Sequence, residues 1–203
     1  MQADKIIFHI KTIYTPNHIP PVKGSDLSKI KEIEDGFIAI KDGKICGIGE
    51  GDGHDFMGQD TILIDAENRI ALPGFIDSHT HLVHAGSREN EYEDLQKGIP
   101  YLDILARGGG ILGTVEKTRQ ATFDELYHKA YKSLDVMMLH GVTTVESKSG
   151  YGLCLECETK QLRVNQRLND EHPICVLSTY MGAHAVPKEY LDRREDYINE
   201  MIH

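Results

Sequence analysis

Apolar and polar positions alternate differently in two parts of the chain. Up to Leu72 the apolar runs are short: Ile6 to Ile13, Phe37-Ile38-Ala39-Ile40, Ile45-Cys46-Gly47-Ile48, Ile62-Leu63-Ile64-Asp65 and Arg69-Ile70-Ala71-Leu72. Runs of this length predict strands. Lys41-Asp42-Gly43-Lys44 lies between the second and third, and Asp-Gly supplies the positive φ angles of a tight hairpin turn. The polar stretch from Pro16 to Asp35 reads as loop with one short helical piece. Residues 1–72 therefore predict a β-rich domain, a small antiparallel sheet or half-sandwich.

At Pro73-Gly74 the pattern changes to strands alternating with helices, which predicts βα units and a parallel sheet over residues 73–203. Phe75-Ile76-Asp77 opens the first strand and runs into His79-Thr80-His81. Thr122 and Glu125 have the spacing of a capping box, and the helix they start is stopped by Gly141. Within it Leu126, Ala130, Leu134, Met137 and Met138 recur every three or four residues, so one face is expected to be buried, the Met pair included. Val142 to Glu146 is β-branched and predicts a second strand. A helix from about Glu158 to Asn169 and a third strand from Ile174 to Tyr180 follow. Pro187 is placed to open another helix.

Composition narrows the class. The chain has 203 residues, of which 40% are apolar and 27% charged, the balance of an ordinary globular protein. No apolar run approaches the roughly 20 residues of a membrane span, and Met1-Gln2-Ala3-Asp4-Lys5 is no signal peptide, so the expectation is a cytoplasmic protein with no membrane partner. A net charge of -10 argues against a nucleic-acid partner. An anionic small molecule would then need a local basic group. The four cysteines are too few and too unevenly spaced for a disulfide scaffold, and Cys154-x-x-Cys157 has no second pair to complete a zinc site. Gly108-Gly109-Gly110 follows no strand and precedes no Gly-Lys-Ser, so it reads as a turn or loop hinge, not as a phosphate loop.

The candidate chemistry starts at Asp77-Ser78-His79-Thr80-His81. Side chains alternate across a strand, so His79 and His81 point the same way and can reach one cation. Two such histidines alone could equally be exposed strand residues. The longer string from Pro73 resembles the opening strand of the metal-dependent barrels of the amidohydrolase superfamily. Gly86-Ser87-Arg88-Glu89, Ala106 to Ile111, Glu146 to Leu153 and Gly182 to Pro187 sharpen this, and together they resemble the imidazolonepropionase family. The resemblance runs from about Gly36 to the last residue and covers the N-terminal half of the family's usual length.

That resemblance implies a partial (β/α)8 TIM-like barrel, truncated, preceded by a small β-sandwich-like domain. It implies a hydrolase of a cyclic amide C–N bond that converts 4-imidazolone-5-propanoate into N-formimidoyl-L-glutamate in histidine degradation, with one zinc or iron ion. His79 and His81 match metal ligands, and Arg88, Tyr151 and His184 match substrate-contacting positions. Arg88 has the planar fork suited to a carboxylate, although a salt bridge with Glu89 or Glu91 is its ordinary alternative. Tyr151, between two glycines, could instead pack on the barrel rim, and His184 could be satisfied by backbone. Lys148 follows the second barrel strand and reads as structural or as shaping the site. The remaining metal ligands and the general acid or base are expected in later strands. The alternatives are another cyclic amidohydrolase or heterocycle deaminase of the same superfamily, or a non-catalytic half-barrel. A barrel takes about 250 residues, and Met201-Ile202-His203 stands inside a helical pattern, so the expectation is a fragment or one half of a split protein. A homodimer is left open for the complete enzyme.

Overall fold

The computed structural model describes residues 1–16 and 21–202, and its chain divides into two compact units, Met1–Pro73 and Gly74–His203. Asn17 to Pro20, within the expected loop, and His203 lie outside the described residues.

In the first unit, β1 (Lys5–Pro16), β2 (Ile30–Lys41), β3 (Lys44–Glu50), β4 (Ile62–Asp65) and β5 (Ile70–Ala71) form one sheet. The hairpin forms as expected: Lys41 pairs with Lys44, and Asp42 and Gly43 turn at φ 50° and 71°. The expected antiparallel sheet is corrected to a mixed one, because β4 and β5 both run parallel to β1. The segment 51–61, with a short 3-10 turn at His54–Phe56, carries the chain back before β4 starts, as a parallel connection requires. The expected loop up to Asp35 is also corrected. A 3-10 turn occupies Gly24–Ser28 and β2 begins at Ile30; of its first five residues only Ile33 is buried, so a strand with one wet face looked polar. A bulge between Ile7 and Ile10, with His9 at φ 51°, resets the alternation of β1, so that Ile6 is buried in one cluster and Ile10 and Ile13 in another. They pack with Phe37, Ala39 and Ile33 in two small apolar clusters.

The second unit is built on a parallel three-stranded sheet, β6 (Phe75–Thr80), β7 (Val142–Lys148) and β8 (Cys175–Thr179), in that order. Between β6 and β7 lie α1 (Glu89–Gln96), α2 (Tyr101–Ala106), α3 (Gly110–Gln120) and α4 (Phe123–Leu139). Helix α5 (Leu155–Glu171) joins β7 to β8, and α6 (Arg194–Ile202) follows a 3-10 turn at Lys188–Tyr190. Thr122 caps α4 with both halves of the capping box present. One face of the sheet meets α4 and α5: Val145, Ile174 and Val176 pack on Leu126, Ala130, Leu134, Val164 and Leu168. Fully buried leucines such as Leu134 and Leu168 contribute about 1.5–3 kcal/mol each to this core. Of the Met pair, Met137 packs on it and Met138 does not, being 41% exposed. Pro187 caps the 3-10 turn instead of opening a full helix. Gly108 and Gly110 turn between α2 and α3 at φ 85° and 62°, the close turn that is one of the two readings of the triglycine. All four cysteines are free. Among the described residues, no helix is long and apolar enough to cross a membrane.

Candidate metal and substrate site

Parallel strands end on the same side of a sheet, and the candidate residues follow those ends: His81 after β6, Tyr151 after β7 and His184 after β8. This is the side on which barrel-type active sites are built. The His81 imidazole is central. Tyr151 stacks on it with centroids 4.6 Å apart and planes at 26°, and His184 tilts against it at 4.9 Å. His79 meets it edge-on at 6.1 Å, despite a bulge between Asp77 and Thr80 in which Asp77 Oδ1 accepts the His79 amide. Four of the five expected residues are thus gathered around one ring.

The fifth is Arg88, whose guanidinium lies 5.8 Å from the Tyr151 ring centroid. Its Nε donates to Thr114 Oγ1 at 2.9 Å, not to Glu89 or Glu91. Glu91 instead accepts the Gly110 amide at the start of α3. The surrounding loop is pinned by lysines: Lys129 donates to the Gly86 carbonyl at 2.6 Å and Lys117 to that of Ser87. Arg88 therefore sits at the site's edge with its remaining donors uncommitted to any carboxylate among the described residues.

Electrostatics favour nitrogen donation. Burial, with the nearby charge of His184, holds the His81 imidazole below its ordinary range, so it is neutral near pH 7, the form that binds a cation. Its Nδ1 is buried and has no hydrogen-bond partner. An unpartnered buried ring nitrogen is costly, and a divalent cation is one group that satisfies it. Among the described residues no cluster of three or more His, Cys, Asp or Glu is arranged to hold a metal. The donor set here fits a metal as two imidazoles and no more. His84 turns aside and engages the His81 carbonyl through Nδ1 at 3.0 Å.

Further residues near the site tie its strands and loops together. Glu146 and Lys148 stand on the β7 face away from the helices and form an ion pair, and Thr179 of β8 donates to Glu146 at 2.6 Å. The hydrogen bonds from Lys148 and Thr179 hold the Glu146 carboxyl below its usual range. Lys148 is thereby held to its own strand by Glu146. Glu158, in the first turn of α5, is fully buried, and its carboxylate accepts the amides of Gly150, Gly152 and Leu153, each at 2.7 Å. Its only trace in the sequence is an acidic residue in a helix's first turn, which is commonplace. Cys154 caps α5 and accepts the Cys157 amide at 3.4 Å, while burial pushes the Cys157 thiol up to about 12, away from thiolate chemistry.

No protein-family model matches the chain. Curated proteins named imidazolonepropionase from Streptococcus gordonii and Streptococcus sanguinis are each 48% identical to it over 204 residues, covering 100% of this chain and 48% of theirs. One from Streptococcus pyogenes serotype M6 is 48% identical over 206 residues with the same coverage. The chain spans about half the length of the curated relatives it matches. Among solved structures, guanine deaminase of E. coli superposes with a TM-score of 0.61 at 16% identity, over 97% of this chain and 42% of that one. Guanine deaminase of Bradyrhizobium japonicum gives 0.54 at 19% identity, over 99% and 40%. A mutant of atrazine chlorohydrolase TrzN from Arthrobacter aurescens, complexed with zinc and atraton, gives 0.50 at 19% identity, over 86% and 35%. These likenesses show the fold alone, a mixed α/β architecture shared with part of each guanine deaminase.

Proposed function

From a chain homologous along its whole length to the imidazolonepropionases, we propose that it supplies the first metal ligands and the substrate contacts of an enzyme that hydrolyses 4-imidazolone-5-propanoate to N-formimidoyl-L-glutamate. Its second unit is then the first part of a (β/α)8 barrel, and its first unit one half of a small sandwich-like domain. The observation that carries the reading is the gathering of His79, Tyr151 and His184 around His81 at the ends of three parallel strands.

His79 and His81 hold one zinc or iron ion, to which His81 offers a buried nitrogen that nothing else engages. When bound, such an ion supplies a Lewis acid and lowers the pKa of a coordinated water. Arg88 accepts the propanoate carboxylate with its free Nη donors, since a guanidinium matches a carboxylate in a planar, bidentate way. It also adds positive charge at the site's edge in a chain of net charge -10. The Tyr151 ring closes one side of the imidazolone position and excludes water there, and its hydroxyl is free to bond a ring heteroatom. His184 donates to the carbonyl oxygen, which gains negative charge as water adds to the carbonyl carbon and gives it up as the ring C–N bond breaks. The proton that reaches the leaving nitrogen comes from a group outside this chain's assigned residues. The reaction takes place in the cytoplasm on a small-molecule substrate.

The test is ring opening by the full-length protein, read together with its metal content. Formation of N-formimidoyl-glutamate by metal-loaded protein is the expected result. A metal-loaded protein that leaves the imidazolone intact, or that releases ammonia from an aminated heterocycle instead, would overturn the reading.

A further inference from the structure

The substrate-side residues stand in loops, and loops hold a side chain in place only when something fixes their backbone. We infer that Glu158 is a positioning residue of this site, fixing the Gly150–Leu153 turn in the conformation that lays the Tyr151 ring on His81. The inference rests on the proposed function and identifies what sets its substrate-side geometry.

The turn does not hold itself. Gly150 lies at φ 113° and Leu153 at φ 48°, a left-handed conformation that leucine rarely adopts unaided. Its amides converge on a single acceptor group: Glu158 Oε2 takes the Gly150 N–H, and Oε1 takes those of Gly152 and Leu153. Successive backbone amides gathered on one anion form a nest, and bonds of 2.7 Å to a charged acceptor are short and strong. Tyr151 is the one residue enclosed between these anchors. The opposite edge of the turn is held as well, because Arg119 donates to the carbonyls of Gly152 and Leu153 at 2.6 and 2.7 Å and pairs with Glu189. Gly152 rests directly on α5, where an added Cβ would come within 2.7 Å of the Glu158 amide nitrogen. The phenol is thus referred, through a fully buried carboxylate, to a 17-residue helix.

The chemistry requires a carboxylate. A glutamine is isosteric and keeps one oxygen for Gly152 and Leu153, but it turns an NH2 group toward the Gly150 N–H, donor against donor. Glu158→Gln therefore folds and loosens one end of the turn. Were Glu158 only a stabilising residue, this change would lower stability in the same way whatever stood at position 151.

The experiment is a double-mutant cycle on the full-length protein with Glu158→Gln, Tyr151→Ala and both together, read by steady-state ring opening and by amide hydrogen exchange. Glu158→Gln should raise KM about tenfold, the worth of one lost hydrogen bond to a charged group, and change kcat much less. With Tyr151 already replaced it should change KM by less than about twofold, since the contact it positions is gone. Exchange at Gly150 should quicken in both backgrounds. Equal losses with and without Tyr151 would overturn the positioning role, as would unchanged exchange in Glu158→Gln. Absence of turnover by the unmodified protein would overturn the proposed function instead, and the exchange measurement would still decide whether Glu158 holds the turn.

Discussion

Replacing Gly150 by alanine separates two costs that glycine avoids. At φ 113° any L side chain is strained, by about 1–2 kcal/mol. A Cβ at Gly150 would also stand 2.9 Å from His184 Cβ and 3.1 Å from the Met181 carbonyl oxygen, closer than side chains tolerate. Crowding of that kind costs about 1–3 kcal/mol when the neighbours must shift. Alanine restricts the unfolded chain and returns about 0.4–1 kcal/mol. The net expectation for Gly150→Ala is a loss of about 2–4 kcal/mol. Gly108→Ala is the control: its φ is 85°, but nothing lies within 4 Å of where its Cβ would be. That variant should lose no more than about 1.5 kcal/mol, strain alone less the entropy returned. Urea unfolding at constant m-value reads the difference as a shift in midpoint. The site itself should respond as well, because the atom displaced belongs to His184, so Gly150→Ala should weaken ring opening while Gly108→Ala leaves His184 in place. Equal destabilisation by the two variants would refute the claim that close approach, beyond backbone strain, selects glycine at position 150.

Three further predictions address separate residues. Arg88→Ala should raise KM for the propanoate substrate by about 10- to 150-fold, the range for a lost charge-assisted contact, and leave metal content unchanged; steady-state kinetics with elemental analysis checks both. His81→Ala should lose bound metal while the protein still unfolds cooperatively, since its unpartnered Nδ1 contributes no hydrogen bond to the fold; retained stoichiometric metal would contradict its role as a ligand. The Thr122 amide and hydroxyl hold the Glu125 carboxyl below its ordinary 4.5, so its contribution to stability is complete above that value and fades as pH falls through the depressed folded value. Glu125→Gln should flatten that acid-side decline, which pH-dependent urea midpoints would reveal.

Legibility from sequence followed the range over which each feature is encoded. The capping box at Thr122, the Asp42-Gly43 turn and the strand at Ile62–Asp65 are local, and each formed as its residues suggested. The sense of β4 and β5 was not legible, because a strand's own pattern is the same whether its neighbour runs parallel or antiparallel. The early start of β2 was hidden by its polar residues, exposed Glu32 and Glu34 on one face and Lys31 beside Ile33 on the other, which pair with Tyr14, Thr12 and Thr15 of β1. Met138 shows the converse: a helical period names the approximate face, but not where that face ends.

The candidate site divides in the same way. His79, His81, Arg88, Tyr151 and His184 entered the candidate site through motifs, short strings whose residues would act with their own side chains. Glu158, Arg119 and Thr114 act on backbone or on another side chain, and the partners are chosen by the folded loop. Arg119 illustrates the point, since it reads as one more charge on α3 and yet closes on the carbonyls of Gly152 and Leu153, more than 30 residues away. Such support residues carry no period and no motif, while their geometry is stringent: three amides reach one carboxylate only if the turn and the start of α5 are both in place. The motif Gly150-Tyr151-Gly152 is therefore half of a device. The glycines let the backbone come close to His184 and α5, and the buried carboxylate decides which of the conformations open to them is kept.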